Sequence, residues 1–90
     1  MKYQEAEKMY KALASKRRLE ILHYLSKEAK ANVIDISEKI KLSYRSTSKH
    51  LQILKNAGFI DSDQIDFGQF YYLKDKNNSF VKHSLSIFHP

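Results

Sequence analysis

Hydrophobic residues at the start of the chain recur at the spacing of an α-helix. Tyr3, Ala6, Tyr10 and Leu13 fall on one face. Ser15 is the type of residue that caps a second helix. The hydrophobic stripe of that second helix consists of Leu19, Ile21, Leu22 and Leu25. The pattern therefore predicts two consecutive amphipathic helices.

Three cations stand in the first turn of the second helix, at Lys16, Arg17 and Arg18. Positive charge at this end opposes the helix dipole, so these residues are expected to have another role. We expect Arg18 to form an ion pair with the rest of the fold rather than to contact phosphate. Both interpretations stay open for Lys16 and Arg17.

The middle of the chain predicts two more helices that are joined by a tight turn. Asn32 is a good N-cap for the first of them, and Asp35 supplies a weak form of the capping box. The hydrophobic positions of this short helix are Val33, Ile36 and Ile40. Only Lys41 and Leu42 separate it from the next helix, which is the pattern of a helix-turn-helix motif.

The next helix has Ser43 as its predicted N-cap, and Thr47, Leu51 and Leu54 share its hydrophobic face. We predict that Thr47 is buried there and that its hydroxyl bonds the backbone carbonyl one turn back. Gly58 is free to adopt the left-handed conformation that commonly ends a helix.

After Gly58 the pattern changes to that of β-strands. A weak strand leads to a short hairpin loop at Asp66-Phe67-Gly68, and an aromatic-rich strand follows at residues 69–73. A last helix follows a polar break, and its hydrophobic residues are Phe80, Val81, Leu85, Ile87 and Phe88. A helix-turn-helix followed by a two-stranded wing predicts a mostly α-helical protein with a small β-hairpin, that is, a winged helix-turn-helix.

The basic charge lies in the first two thirds of the chain. The formal net charge is +6, and residues 1–58 hold thirteen Lys or Arg against six Asp or Glu. Residues 59–90 hold three Lys against four Asp. An asymmetric basic surface suggests an anionic partner, and nucleic acid or a membrane surface is the usual choice. A solvated, lysine-rich surface is the alternative.

Composition and the absence of certain motifs exclude several classes of protein. The chain has no cysteine, which excludes disulfides and thiolate metal sites and fits a reducing compartment. It shows neither a signal-peptide pattern nor the roughly 20 consecutive apolar residues of a membrane helix. Neither a phosphate-binding loop nor a catalytic Ser/His/Asp spacing is present, and so small a domain has little room for a pocket. We therefore expect a soluble, cytoplasmic protein that is not an enzyme, has no cofactor and takes no small-molecule substrate.

Three stretches of the chain resemble the ArsR-type winged helix-turn-helix repressors. The opening of that family is similar to ALASKRRLEILHYL at residues 12–25. Its helix-turn-helix is similar to VIDISEKIKLSYRSTSKHLQILKNAGFI at residues 33–60, and its wing to DFGQFYYL at residues 66–73. The positions in register within the helix-turn-helix are Ile36, Ile40, Leu42, Ser43, Ser48, His50, Leu51, Leu54, Ala57, Gly58 and Ile60. The resemblance runs without a gap over about residues 10–74.

The resemblance implies a homodimer that binds operator DNA, with the helix after Ser43 in the major groove. It also implies that the first and last helices form the dimer interface. The single domain at 1–90 then divides into dimerisation helices at 1–14 and 78–89, a helix-turn-helix at 32–57 and a wing at 59–74. The residues that we assign to the interface are Tyr3, Tyr10, Phe80, Val81, Leu85 and Phe88. Packing of the last helix onto its own domain is the alternative.

The chain departs from the metal-sensing relatives in this family. Residues 33–36 read Val-Ile-Asp-Ile where those relatives carry a C-x-C-D-L box. Asp75, His83 and His89 lack the spacing of C-terminal metal sites, so we predict no metal site. Lys41 stands where relatives often have Gly, and a left-handed backbone there would cost about 1 kcal/mol.

The front of the helix after Ser43 carries the candidates for DNA contact, because the first turns of a recognition helix point into the major groove. Arg45 and Gln52 are the best base readers, with Arg preferring guanine and Gln adenine. The full set of candidates is Ser43, Tyr44, Arg45, Ser46, Ser48, Lys49, Gln52 and Gln69. Solvated surface residues are the alternative, and we expect His50 to be packed and hydrogen-bonded instead.

The predicted wing is acidic, with Asp61, Asp63 and Asp66, and Gln69 is its only obvious donor. Because carboxylates repel phosphate, we expect weak or tilted wing contacts with DNA. The leading hypothesis is a sequence-specific, double-stranded DNA-binding transcriptional repressor that acts as a homodimer. A winged-helix module that binds protein, which the acidic wing supports, and a His-based metal-responsive repressor are the alternatives.

Overall fold

The computed structural model describes residues 1–88, which form five helices and a small sheet. The elements in chain order are α1 (Tyr3–Leu13), α2 (Lys16–Lys27), β1 (Ala31–Asn32), α3 (Val33–Ile40), α4 (Tyr44–Asn56), β2 (Ile60–Ile65), β3 (Gly68–Leu73) and α5 (Ser79–Ser86). The pair α3–α4 is the helix-turn-helix, and the hairpin β2–β3 follows it as the wing, so the predicted fold class is confirmed. None of the described helices is long and apolar enough to cross a membrane.

Side chains cap the helices where the sequence indicates. Ser15, Asn32 and Ser43 each accept a hydrogen bond from the backbone N–H three positions on, at 3.3, 2.8 and 3.1 Å. Each cap satisfies a donor that has no partner inside the helix. Asn78 caps α5 in the same way, at a position that the sequence marked only as a polar break. Local side-chain chemistry thus fixes where four helices begin.

The turn between α3 and α4 forces Lys41 into the left-handed region, with φ 56° and ψ 53°. The N–H of Lys41 donates to the carbonyl of Glu38 at 3.3 Å, and the N–H of Leu42 donates to that of Ser37 at 3.0 Å. A residue with a Cβ is strained in this conformation by about 1 kcal/mol relative to glycine. The helix-turn-helix therefore contains a strained lysine at its corner.

The end of α4 uses Gly58 as predicted, with φ 84°. The N–H of Phe59 then reaches back to the carbonyl of Leu54 at 3.1 Å, which closes the helix with a left-handed cap. The carbonyl of Phe59 accepts from the N–H of Lys74 at 3.1 Å, so the chain leaving α4 is tied at once to the end of the wing.

The sheet has three strands in the order β1-β3-β2, and the sequence predicts only two. The missed strand pairs Ala31 with Tyr71 and Asn32 with Phe70. A two-residue strand is too short to show a period, so its pattern is invisible in the sequence. As a result, the wing is hydrogen-bonded to the segment that leads directly into α3.

The hairpin loop is one residue shorter than predicted. Ile65 pairs with Gly68, so the loop consists only of Asp66 and Phe67 and the glycine belongs to β3. Asp66 supplies the positive φ of the turn, at 54°, which Asp tolerates better than most residues. The residue with the left-handed backbone in this loop is therefore an aspartate, and Gly68 pairs in the sheet.

A single hydrophobic core joins the helices to the sheet. Its largest fully buried side chains are Phe59, Ile21, Leu22, Leu25, Ile36, Leu51, Leu54, Ile60 and Val81. Val81 belongs to α5 and is 0% exposed, so this helix packs onto its own domain through that side chain. Phe80 and Leu85 of the same helix are partly buried against the core.

Arg18 forms no ion pair within the described residues, so the expectation of one is wrong. Its Nε donates to the carbonyl of Ala12 at 2.6 Å, and Nη2 donates to that of Lys11 at 3.1 Å. Its Nη1 lies 3.1 Å from Nδ1 of His50. Arg18 therefore satisfies the carbonyls at the end of α1 and reaches α4, which explains a cation in the first turn of α2.

Arg17 is also engaged within the protein. Its Nη1 donates to the carbonyl of Ile40 at 2.6 Å and lies 3.3 Å from Oε1 of Glu20. The first turn of α2 is thereby tied to the C-terminal end of α3, directly before the strained turn.

Thr47 is 0% exposed, as predicted, but its hydroxyl has no hydrogen-bond partner among the described residues. The expected bond to the carbonyl one turn back is therefore wrong. The core holds an uncompensated hydroxyl on the inner face of α4, which is a destabilising feature.

Candidate nucleic-acid interface

The two faces of α4 are separated by burial. Thr47, Leu51 and Leu54 are all 0% exposed and hold the helix against the core. The exposed residues on the other side of the front turns, together with the cap, are Ser43, Tyr44, Arg45, Lys49 and Gln52. Ser46 and Ser48 are half-buried between the two faces. The polar run in the sequence thus becomes one outward surface.

The N-terminus of α4 suits a negatively charged partner. Oγ of Ser43 is occupied by the N–H of Ser46, and the first backbone N–H groups of a helix have no partner within it. These groups and the positive end of the helix dipole favour an anion such as a phosphate. Arg45 and Lys49 make no ion pair or side-chain hydrogen bond with the described part of the chain, so their charges are not neutralised there.

Gln52, the second candidate for reading bases, is oriented by a hydrogen bond within α4. Nε2 of Gln52 donates to Oδ1 of Asn56 at 2.9 Å, one turn further along α4. This bond leaves the carbonyl oxygen of Gln52 and one remaining N–H for a partner. Asn56 was not among the predicted DNA-binding residues, and its position four residues after Gln52 is the only signal in the sequence.

Tyr44 lies where α4 meets the wing. Burial raises the pKa of the Tyr71 hydroxyl on β3, and the nearby Tyr44 adds to that rise. Tyr44 itself is exposed, so its phenol is accessible to a partner beside the wing.

The acidic wing is largely neutralised by lysines that flank it. Nζ of Lys55 lies 3.9 Å from Oδ1 of Asp61 and donates to Oγ of Ser62 at 3.0 Å. Lys30 forms an ion pair with Asp63. Of the three carboxylates, only Asp66 lacks a cation among the described residues. Repulsion between the wing and phosphate is therefore smaller than the sequence indicates.

The tip of the wing is apolar rather than basic. Phe67 is 104% exposed, and Ile65 beside it is exposed as well. The amide of Gln69 donates to the side chain of Gln64, and Nε2 of Gln64 donates to the carbonyl of Asp66 at 3.1 Å. Gln69, the predicted donor of the wing, is thus held within the hairpin.

The terminal helices meet through aromatic side chains. The rings of Tyr10 and Phe80 lie 5.0 Å apart between centroids, in an edge-to-face arrangement. Tyr3 is 96% exposed and Tyr10 is 64% exposed, whereas Val81 is in the core. Exposed aromatic rings beside a hydrophobic helix form a surface that suits a protein partner.

The histidines do not form a metal site in the part of the chain that is described. Within residues 1–88, no three His, Asp or Glu side chains are grouped as ligands for an ion. His50 accepts a hydrogen bond from Arg18, in agreement with the expected packed histidine. Asp75 accepts from the N–H of Asn77 at 2.9 Å, and His89 lies outside the described residues.

Comparison with known families decides how this surface is interpreted. The family described as "Bacterial regulatory protein, arsR family" matches residues 15–62, which is more than half of the chain. The chain belongs to this family. The match spans α2 to the beginning of β2, and so includes every predicted DNA-binding residue except Gln69.

Similar proteins are regulators. The arsR-family chain is 34% identical over 74 residues to an uncharacterized HTH-type transcriptional regulator of Methanocaldococcus jannaschii, covering 82% of this chain and 83% of that one. It is 34% identical over 70 residues to the arsenical resistance operon repressor of Bacillus subtilis, covering 78% of this chain and 67% of that one.

The fold agrees with that of a solved winged helix-turn-helix domain. The solution structure of the homodimeric winged helix-turn-helix DNA-binding domain of a possible ArsR-family regulator from Mycobacterium bovis matches with a TM-score of 0.82. The match covers 93% of this chain and 75% of that one at 24% sequence identity. The likeness covers more of the chain than the family match at residues 15–62 does.

Proposed function

We propose that this arsR-family protein is a homodimeric repressor that binds a specific double-stranded DNA site through the front of α4. The observation that carries the proposal is the exposed polar surface from Ser43 to Gln52, which faces away from the core. It combines two uncompensated cations with hydroxyl and amide groups at the positive end of a helix. This is the chemistry that both phosphates and base edges require.

The roles within this surface follow from reach and charge. Arg45 is the proposed reader of guanine, and Gln52, with Asn56 orienting its amide, is the proposed reader of adenine. Ser43, Tyr44 and Lys49 are proposed to contact phosphates. The proposed phosphate or mixed contacts of Ser46 and Ser48 are limited by their half-buried positions.

The proposed dimer uses the surface of α1 and α5. Tyr3, Tyr10, Phe80, Leu85 and Phe88 are the proposed contact residues. Val81 contributes indirectly, because its burial holds α5 on the protomer. Two-fold symmetry would place two copies of α4 about 34–36 Å apart, one turn of the duplex, and so favour a roughly palindromic site. The homodimer of the Mycobacterium bovis relative and the repressor from Bacillus subtilis support the assembly and the direction of regulation.

A selection of bound duplexes from a random pool tests the proposal. We expect the recovered sites to share two inverted half-sites whose centres are separated by about 10 base pairs. Affinity for the selected site should fall steeply with salt, with a logarithmic slope of about −0.9 for each phosphate contact. Failure of both selected and unselected duplexes to bind at low salt would exclude DNA as the partner.

A protein-binding role for the wing is the second candidate. Its support is no longer the acidic charge, which Lys30 and Lys55 largely neutralise, but the exposed ring of Phe67 at the tip. Replacing Phe67 with Ser separates the two functions. Unchanged DNA affinity in that variant excludes the tip from DNA binding and leaves the protein-binding role, whereas weaker binding to every duplex assigns the tip to DNA.

A further inference from the structure

A cavity of about 690 Å³ lies between α2, the C-terminal end of α3 and Phe88. Pockets that bind small organic ligands in proteins span about 300–1,000 Å³, so this one is large enough for such a ligand. Nothing in the sequence pattern indicates a pocket of this size in so short a chain.

The rim of the cavity is positively charged. Lys16 and Lys27 reach it from α2, and Lys39 reaches it from α3. Glu20 is the one acidic residue that lines it, and its carboxylate already lies 3.3 Å from the guanidinium of Arg17. The local field therefore favours an anion.

The walls of the cavity are mainly hydrophobic. Leu19, Ile40 and Phe88 line it together with the ring of Tyr24. A simple inorganic anion would leave these surfaces in contact with water. An anion with an apolar body covers them and also meets the lysines.

His23 supplies the observation that points to a ligand. It lines the cavity, and neither Nδ1 nor Nε2 is accessible to water or has a hydrogen-bond partner among the described residues. A buried polar group without a partner costs about 1–3 kcal/mol. Rotation of the imidazole toward the cavity would let a polar atom of a ligand pair with one of these nitrogens and remove that cost.

We propose that this cavity binds a small amphipathic carboxylate. Its carboxylate lies at the lysine rim, and its apolar body packs against the hydrophobic walls. The ring of His23 turns so that one nitrogen pairs with an oxygen of the ligand. Binding as such is independent of the proposed function. The consequence for DNA rests on that function.

A ligand in the cavity would affect DNA binding because the cavity walls connect to the helix-turn-helix and to the proposed dimer surface. Ile40 ends α3, and its carbonyl is held by Arg17 immediately before the strained Lys41. Phe88 follows α5, which belongs to the proposed dimer surface. A ligand that touches both walls binds more tightly to one spacing of α3 and α5, and it therefore shifts the dimer toward that spacing.

Binding is tested first without DNA, on the full chain. The probes are decanoate, decan-1-ol as its uncharged counterpart, and 8-anilinonaphthalene-1-sulfonate as a fluorescent amphipathic anion. We expect one decanoate per chain by calorimetry, displacement of the fluorescent anion, and affinity for decan-1-ol lower by about tenfold or more because the charge is missing. Equal affinity for decanoate and decan-1-ol would contradict the role of the lysine rim.

Charge-reversal variants locate the site. The double variant Lys27→Glu/Lys39→Glu should weaken decanoate binding by about tenfold or more, because it inverts the field at the rim. Lys74→Glu/Lys76→Glu carries the same change in net charge away from the cavity and should stay within about twofold of the wild type. Equal losses in both would mean that decanoate responds only to total charge.

The NMR signals of the His23 ring distinguish binding in the cavity from nonspecific binding at the surface. In protein with ¹⁵N-labelled imidazoles, decanoate should shift the ring nitrogens of His23 and leave those of the exposed His83 unchanged. No shift at His23 at saturating decanoate would overturn the proposal. If decanoate binds and the selected duplex is neither bound nor released, the cavity stands and the DNA-binding function fails. If the selected duplex is bound but decanoate is not, the DNA-binding function stands and the proposed ligand site fails.

Discussion

The guanidinium of Arg18 donates a hydrogen bond to Nδ1 of His50 across 3.1 Å. The same guanidinium holds the last carbonyls of α1, at Lys11 and Ala12. One side chain of α2 therefore joins α1, a proposed dimer helix, to α4, the proposed reading helix. The contact requires His50 to be neutral at Nδ1, because a protonated imidazole donates at both nitrogens.

Stability should fall as the pH drops below the ordinary pKa of histidine. Burial lowers the pKa of His50, and the neighbouring charges of Arg18 and Arg17 lower it further, from its usual value of 6.5. Above 6.5 the side chain is neutral in both folded and unfolded chains, and its contribution to stability is complete. Below that value the unfolded chain takes up the proton first, and stability is lost until the pH passes the folded pKa.

Urea denaturation at a series of pH values from about 5 to 8 measures this dependence. His50→Gln keeps an acceptor for Arg18 and should flatten the profile between these limits. His83→Gln, at an exposed histidine, should leave the profile of the wild type intact. An unchanged slope in His50→Gln would show that His50 does not titrate against folding.

Arg45→Ala should relax specificity at one base position and cost about 1–3 kcal/mol on the selected site. The reason is that a bidentate contact with guanine is lost while phosphate contacts remain. Lys49→Ala is the matched control, because it should weaken all duplexes alike and reduce the salt slope by about 1. Gel shifts on the selected site and its single-base variants measure both. Uniform weakening by Arg45→Ala would make Arg45 a phosphate contact.

Thr47→Val should stabilise the protein by about 1 kcal/mol, because it replaces an unpartnered buried hydroxyl with a methyl group of similar size. Thr47→Ser keeps the hydroxyl and removes the methyl group, so it should destabilise by about 1 kcal/mol. Midpoints of urea unfolding compare the three proteins. A destabilised Thr47→Val would mean that the hydroxyl has a partner in solution.

Lys41→Gly should raise stability by about 1 kcal/mol, since glycine adopts the left-handed turn without strain. Lys39→Gly makes the same chemical change two residues earlier, inside α3, and should lower stability by about 1 kcal/mol. Thermal unfolding of both variants measures whether each substitution raises or lowers the stability. A loss of stability in both would indicate that the side chain of Lys41 makes a contact that outweighs the strain.

Tyr3→Glu and Leu85→Glu should both weaken the proposed dimer, by about 2 kcal/mol or more if these side chains lie at its centre. Leu85 also packs against its own core, so its variant needs a check of folding by circular dichroism. Tyr3 is 96% exposed and carries no such ambiguity. Phe67→Glu adds the same charge at the wing and should remain dimeric. Sedimentation that is identical for all four proteins would exclude the terminal helices as the interface.

Features set by neighbouring residues were predicted from the sequence. The caps at Ser15, Asn32 and Ser43 and the left-handed Gly58 depend on groups within a few positions. So does the burial of Thr47, which follows from helical spacing. These features were enough to give the fold class and the outward face of α4.

Features that depend on distant partners were not predicted. The pairing of Ala31 with Tyr71 and of Lys30 with Asp63 joins residues that are far apart in the chain. Arg18 was expected to find a carboxylate and instead binds carbonyls, which have no sequence signature. The cavity beside His23 is also a product of how α2, α3 and Phe88 pack. The sequence therefore predicts which residues of α4 face outward, but not their local hydrogen bonds or the charge balance of the wing.

Asn32 closes the strand that pairs with Phe70 and also caps α3. On the other side, Lys55 of α4 donates to Ser62 of β2, so the wing is bonded both to the segment that begins α3 and to the C-terminal part of α4. These bonds resist movement of the wing relative to the helix-turn-helix within one protomer. A signal that acts on the proposed dimer would change the distance and rotation between the two helix-turn-helix units more easily than the arrangement within either one. Regulation would then act through the match between the dimer and the spacing of the two half-sites, rather than through the fit to one half-site.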